Sequence, residues 1–328
     1  MTQGLPPVTA RNGPLAIYAP AKVNWFLEVL GKRSDGYHEI VTFMVAIDLC
    51  DCLVAFEEPS KEISLEVKYP DSADNTRSLT LSNKSDNLVW RAAASLQEAT
   101  GCRRGVHLVL EKRIPVGAGL GGGSSDAAAT LLLLNTFWGL GLSGAELTTL
   151  AARLGSDVAF FLHGAAAWCR GRGERVSPWP MARPYWLVLI VPPWPVSTAS
   201  VYAQVRVPAV PRSEEDFCRA LVEGSVPGIR APMFNRLEEA AYIACPDLLK
   251  LREFLGQSGL AQVRLSGSGG TFFFLCTDYE EAEALSGKLM ALATKQGAMP
   301  FQIYTVPTLD DIGYRERHIP RPYKGKFD

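Results

Sequence analysis

The sequence predicts an α+β fold divided between two domains, and three observations carry that prediction. Strand-like apolar runs are interspersed with helical patterns along most of the chain. A glycine-rich run from Pro115 to Asp126 separates the alternating stretch Val106–Glu111 from a nearly continuous apolar stretch, Ala127 to Phe137. Pro178, Pro180 and Pro184 cluster with Trp179, and this change of composition divides residues 14–180 from residues 181–307. Residues 1–13 and 308–328 lack apolar periodicity and are expected to be flexible tails.

In the first domain, Leu15–Tyr18 and Asn24–Leu30 read as strands, and Lys32–His38 as a turn into a third strand, Glu39–Ile47. Further strands are expected at Cys52–Glu57 and Ile63–Tyr69. A helix over Leu88–Thr100 follows Asp86-Asn87, with Ala92, Leu96 and Ala99 near helical spacing. After the glycine run a helix starts near Ser125. A second, Gly144–Leu154, opens on Ser143 with Glu146 three residues later, a capping-box pattern. In the second domain Tyr185–Val191 is a continuous apolar strand. Helices at Glu214–Glu223 and Asp247–Gln257, strands at Gln262–Leu265 and Phe272–Cys276, a helix over Glu280–Lys295 and a last strand at Phe301–Val306 suit a small α+β sandwich.

Composition bounds the function. A chain of 328 residues, 47% hydrophobic, can bury a substantial core, and a net charge of −1 argues against a sequence-independent grip on nucleic acid or an acidic membrane. Seven cysteines without a repeated Cys-x-x-Cys spacing suggest reduced thiols, with Cys50 and Cys52 read as core residues on one strand face. The most apolar stretch, Ala127–Leu142, is shorter than the roughly twenty residues a membrane crossing needs. A soluble, cytoplasmic enzyme is expected.

The glycine run reads as a phosphate cradle rather than a linker. Glycine has no Cβ and tolerates positive φ, so successive backbone N–H groups can converge on an anion, and a helix N-terminus adds unpaired N–H groups and dipole charge. Gly117, Gly119 and Gly122 satisfy G-x-G-x-x-G, but Lys112-Arg113-Ile114-Pro115 separates them from the strand, and the next acidic residue after Asp126 is Glu146, within a helical pattern. A dinucleotide fold needs the opposite arrangement. The Gly-Lys-Ser/Thr phosphate loop is absent, because no lysine lies between Lys112 and Lys250.

Two further motifs stand in order around it: Pro20-Ala21-Lys22-Val23-Asn24, and Leu265-Ser266-Gly267-Ser268-Gly269-Gly270-Thr271-Phe272-Phe273. With Pro115–Ala128 between them, the chain resembles, from Ile17 to Val306, the small-molecule kinases named for galactokinase, homoserine kinase, mevalonate kinase and phosphomevalonate kinase. The resemblance implies an N-terminal ribosomal-protein-S5-domain-2-like domain, a C-terminal ferredoxin-like α/β sandwich and an active site in the cleft between them. It also implies ATP-dependent phosphorylation of an alcohol, with ATP and Mg²⁺ as MgATP.

Residue by residue, the resemblance implies that Asp157, in Leu154-Gly155-Ser156-Asp157-Val158, is the catalytic base and that Lys22 pairs with it. Pro115, Gly117, Ala118, Gly119, Leu120, Gly121, Gly122, Gly123, Ser124 and Ser125 surround the ATP phosphates. Asn87 and Lys112 lie where the adenine is held, and Ser124 or Ser125 is a Mg²⁺ ligand. Arg33-Ser34-Asp35-Gly36-Tyr37-His38 is similar to the branch whose small-molecule acceptor carries a cytidine diphosphate group, in the non-mevalonate route to isoprenoid precursors. On that side Asn24, Tyr37, His38, Thr198, Tyr202, Gly267 and Gly269 are implied to bind the acceptor, Tyr37 and Tyr202 offering stacking faces and His38 ring nitrogens. Asn235-Arg236-Leu237-Glu238 departs from the family's pattern by a basic second residue, expected to be a tolerated change on a helix surface. The alternatives are another kinase of the same family and a nucleotide-binding regulatory protein without turnover. A monomer or weak homodimer is expected, with no nucleic-acid or membrane partner.

Overall fold

The structure, a computed structural model, describes residues 13–69, 86–294 and 300–325. The expected N-terminal tail, apart from Gly13, lies outside the described residues, as does Lys295 at the expected end of the long helix.

The first domain is organised by one long hairpin, β1 (Leu15–Lys32) against β2 (His38–Glu58). The four short strands expected here are two continuous ones. What reads as a break is an irregularity in the ladder: Ala21 pairs with Ile47 but Pro20 with Cys50, so Asp48 and Leu49 are extra residues on β2. Proline has no N–H to donate, and the ladder changes register directly beside it. Beyond the irregularity β2 changes neighbours. Its first half pairs with β5 (Ala166–Gly171), and its second half with β4 (Gly105–Glu111). Parallel to β4 runs β3 (Ile63–Lys68), and β6 (Arg175–Pro178) closes a hairpin with β5.

Two helices pack on this sheet, α1 (Leu88–Thr100) and α2 (Gly122–Phe137), and α3 (Gly144–Leu154) packs against both of them. Asn87 caps α1, accepting the Val89 N–H at 2.8 Å, and both halves of the Ser143/Glu146 capping box are present on α3. Helix α2 is buried without interruption from Ser125 to Leu131, which its all-round apolar sequence requires.

The second domain is an antiparallel sheet ordered β11 (Gln302–Pro307), β7 (Trp186–Val191), β10 (Phe272–Cys276), β9 (Arg264–Leu265). The continuous apolar run of β7 is explained by burial on both faces. Leu187, Leu189 and Val191 join the first domain's core, whereas Val188 and Ile190 pack with Leu248, Leu251 and Leu289 from α5 (Pro246–Gln257) and α6 (Tyr279–Ala293). The two domains are further stitched by β8 (Phe234–Asn235), which pairs with β1 at Phe26 and Leu27.

Residues 308–325 correct the expectation of a loose C-terminal tail. They form α7 (Asp311–Arg317) and β12 (Arg321–Pro322), the latter paired with Leu15 and Ala16 of β1. Tyr314 is buried and donates its hydroxyl to the Phe161 carbonyl at 2.5 Å, while Arg317 forks Asp48 at 3.0 Å through two nitrogens. The anchors are single residues among charges, so no helical period announces them.

Candidate active site

A cavity of about 1070 Å³ lies in the cleft between the domains, with a glycine cradle, a Lys–Asp pair and an aromatic cluster on its wall.

The cradle is a contact between two loops. The Ala118 carbonyl accepts the Thr271 N–H at 3.1 Å, and the Gly119 carbonyl accepts the Ser266 hydroxyl at 3.1 Å. A Cβ on Gly119 would collide with the Ser266 carbonyl oxygen, and its φ of +81° already excludes most side chains; a Cβ on Gly269 would collide with the Gly119 backbone. Helix α2 starts at Gly122, earlier than the expected Ser125, with Gly121 as its N-cap. The first intrahelical bond is Ser125 N–H to Gly121 O at 2.9 Å, so the N–H groups of Gly122, Gly123 and Ser124 have no helical partner and sit at the positive end of the dipole. N–H groups left free in this way suit an anion.

Behind it is a buried ion triad. The Lys112 ammonium contacts Asp51 and, at 2.7 Å, Asp126, while Asp51 Oδ1 accepts the N–H groups of Arg113 at 2.6 Å and Ile114 at 2.8 Å. Burial disfavours the Lys112 charge, and the two carboxylates more than offset it and raise its pKa. Burial pushes the Asp126 carboxyl up against the pull of Lys112. Lys112, expected at the adenine, lines the cavity with its ammonium already committed. Asn87 lines it too, alongside Val67, Leu88 and Leu110, an apolar recess that local sequence does not announce because Val67 and Leu110 meet only through the β3–β4 register.

At the junction of the loops, Lys22 donates to Asn24 Oδ1 at 2.7 Å and lies 3.5 Å from Asp157 Oδ2. Lys22 is buried and anchored through its backbone N–H to the Leu120 carbonyl at 2.9 Å. Asn24 in turn donates to Thr42, whose hydroxyl donates to the Phe26 carbonyl at 2.7 Å. Asp157 follows the end of α3 and keeps 30% of its side chain exposed, open to the cavity. A Cβ on Gly267 would come within 3.0 Å of Asn24 Oδ1 and 3.2 Å of Lys22 Nζ, so the third motif presses its backbone on this pair.

The remaining wall is aromatic. His38 and Tyr202 stack at 5.2 Å with a 32° tilt, Tyr202 standing on the short helix α4 (Thr198–Ala203). Burial lowers the His38 pKa, keeping the ring neutral at pH 7. Burial, then the charge of Asp157, pushes the Tyr202 hydroxyl up. Tyr37 is 52% exposed, with the Arg172 guanidinium over its ring, and Ser268 donates to the Thr198 hydroxyl at 2.9 Å.

Every sequence-expected site residue except Ser125 lines this one cavity. Ser125 is fully buried inside α2, so of the two serines considered as metal ligands Ser124 faces the cavity. Sequence reasoning missed Arg172, although a basic residue between Gly171 and Gly173 in a hairpin turn was a usable cue. It missed Asn235 as well, whose amide holds the third motif by donating to the Leu265 and Gly267 carbonyls, both at 2.8 Å. Arg236 is not a tolerated surface change. It forks the fully buried Glu28 carboxylate at 2.8 Å through both nitrogens. Burial alone would raise the Glu28 pKa, but Arg236 and the N–H groups of Arg212 and Val29 bring it below the usual range.

Family profiles agree with the geometry. Residues 87–165 match the GHMP kinases N terminal domain and residues 217–292 the GHMP kinases C terminal domain. The 4-diphosphocytidyl-2-C-methyl-D-erythritol kinase of Symbiobacterium thermophilum is 40% identical over 282 residues, 85% of this chain and 96% of that protein. The chain belongs to the 4-diphosphocytidyl-2-C-methyl-D-erythritol kinase family. A member from Pelotomaculum thermopropionicum is 41% identical over 82% of this chain and 92% of its own. A crystal structure of 4-(cytidine 5'-diphospho)-2C-methyl-D-erythritol kinase superposes with a TM-score of 0.68 at 37% identity, covering 89% of this chain and 98% of that one. Homoserine kinase from Cytophaga hutchinsonii reaches the same TM-score at 19% identity over 98% of this chain and 100% of its own, a likeness of fold. Members of the GHMP kinases use ATP as phosphoryl donor, and this chain is an ATP-dependent small-molecule kinase. No described helix is long and apolar enough to cross a membrane.

Proposed function

We propose that the chain transfers the γ-phosphoryl group of ATP to the 2-hydroxyl of 4-diphosphocytidyl-2-C-methyl-D-erythritol, giving the 2-phosphate and ADP. The observation that carries this reading is the continuity of one cavity from the glycine cradle, past Lys22 and Asp157, to the Tyr37–His38–Tyr202 cluster. Phosphoryl transfer asks a protein mainly for in-line positioning and charge stabilisation. Asp157 accepts the proton of the acceptor hydroxyl, and Lys22, 3.5 Å away, faces the transferred group. Asn24 holds Lys22 in register at 2.7 Å. The N–H groups at the start of α2 hold the phosphates, and Val67, Leu88 and Leu110 offer apolar surface to the adenine. Tyr37 and Tyr202 flank the cytosine and the neutral His38 ring hydrogen-bonds its edge, while Thr198, Gly267 and Gly269 close over the acceptor.

The donor set fits Mg²⁺ only as a partner of ATP. Ser124 offers one hydroxyl at the cavity, and among the described residues no three His, Cys, Asp or Glu side chains gather to hold a metal. Ser124 would hold the ion together with phosphate oxygens of ATP, since hard oxygen ligands suit it. Neutralisation of phosphate charge is the chemistry it supplies when bound. On this reading the chain works in the cytoplasm as a monomer or weak homodimer.

A coupled ADP-release assay tests the reading, with the cytidyl acceptor beside mevalonate, homoserine and galactose. Turnover on the cytidyl compound alone is expected; turnover on one of the others with none on the cytidyl compound overturns it.

A further inference from the structure

Arg172 sits in the turn between β5 and β6, flanked by Gly171 and Gly173, and lines the acceptor half of the cavity. Its guanidinium carbon lies 4.8 Å from the centroid of the Tyr37 ring. The same turn abuts the reaction centre, since a Cβ on Gly173 would come within 3.6 Å of Asp157 Oδ1. Arg172 therefore stands between the place where a base stacks and the place where a hydroxyl loses its proton.

An acceptor spanning those two places carries its two phosphates between them. Other cations along the cavity are committed elsewhere: Lys22 to Asn24 and Asp157, Lys112 to Asp51 and Asp126. Lys32 is exposed and its field falls on His38, at the base end. Arg172 is held far more loosely. Its Nη2 donates to the Ala152 carbonyl at a long 3.4 Å, and its Nε is 3.9 Å from Glu174, whose carboxylate already accepts the Arg172 backbone N–H at 2.6 Å. Asp35, which also feels the Arg172 charge, is forked by Arg33. A guanidinium stacked on a ring keeps its N–H edge available, and its planar fork matches phosphate oxygens.

We propose that Arg172 is a specificity-determining residue whose guanidinium, braced on Tyr37, engages the diphosphate of the acceptor. The proposal rests on the cytidyl reading given above. Cytidine, CMP and CDP, used as inhibitors competitive with the acceptor, separate the two. Against the wild-type protein all three inhibit, CDP best. In Arg172→Met, which keeps an apolar stem over the ring, the inhibition constant for CDP rises about ten- to hundredfold, as expected for lost charge-assisted hydrogen bonds. That for cytidine stays within about twofold, and the KM for ATP and the thermal midpoint do not move.

Unchanged CDP inhibition overturns the proposal and leaves the cytidyl reading intact. An equal loss for cytidine and CDP also overturns it, because Arg172 then acts only by holding Tyr37. No inhibition of the wild-type protein by any of the three removes the cytidyl reading, and this proposal with it. If Arg172→Met disturbs the ATP KM, Arg172→Lys carries the test: a smaller loss confined to CDP supports the fork, and a loss shared with cytidine overturns it.

Discussion

The donor and acceptor walls of the cavity are built by different means. The donor wall is backbone: two glycine loops hydrogen-bonded to each other through Ala118, Gly119, Ser266 and Thr271, capped by the first turn of α2 and backed by the buried Asp51–Lys112–Asp126 triad. The acceptor wall is side chains, with Tyr37 half exposed, His38 and Tyr202 in ring contact, and Thr198 tied to Ser268 by one hydroxyl bond. A cradle made of backbone is independent of side-chain identity, so one loop serves a donor common to the whole family. Specificity is left to the side chains of the other wall, of which Tyr37, half exposed, is open to change.

Asp157, which belongs to neither wall, is expected to show the largest effect. Asp157→Asn should lower kcat by about 10³-fold or more while the KM for ATP stays within about twofold, if Asp157 is, as proposed, the base for the acceptor hydroxyl. Near-normal kcat would make Asp157 structural and break the division between the walls.

The C-terminal segment offers a pH test of the donor wall. His318 is buried against Tyr314, and burial lowers its pKa to about 4, with the Tyr18 backbone working the other way. The unfolded chain takes up this proton near pH 6.5 and the folded chain does not, so stability is lost as pH falls from about 6.5 towards 4, by up to about 3 kcal/mol. Denaturant melts across that window should show the slope, and His318→Phe should flatten it. Because Tyr314 is anchored on Phe161, whose ring is 3.2 Å from where a Gly121 Cβ would lie, ATP binding should weaken before acceptor binding.

Gly119→Ala should cost about 2 kcal/mol of stability and weaken ATP binding, since its Cβ meets the backbone of the opposite loop at a positive φ. Gly144→Ala, with nothing within 4 Å, is the control and should be near neutral. Thermal melts with and without ATP measure both.

Tyr37→Ala should raise the acceptor KM about tenfold, the scale of one lost base-stacking contact, with the ATP KM unchanged. A rise in the ATP KM of equal size would mean that the two walls are not separable.

How much of this was legible in the sequence follows the same contrast. The cradle was readable from its glycine spacing, whereas Lys22, Asn24 and Asp157 were marked out only by the resemblance of ordered short motifs to a family. Helices α1 and α3 were readable from Asn87 and the Ser143/Glu146 box, whose caps are also local. What escaped depends on partners far along the chain. The β1–β2 irregularity needs Pro20 to meet Cys50, the Arg236–Glu28 pair joins residues on different domains, and the C-terminal segment is held by single anchors such as Tyr314. Arg172 acquires its place only when the β5–β6 turn is folded over Tyr37.

The central claim, phosphorylation of one hydroxyl on a cytidine-diphosphate-linked acceptor, is tested most directly by ³¹P NMR of the wild-type protein with ATP and that acceptor. One new phosphomonoester resonance should grow in step with ADP while the acceptor's diphosphate resonances keep their total intensity. ADP without a new monoester, or loss of the diphosphate signals, would contradict the account.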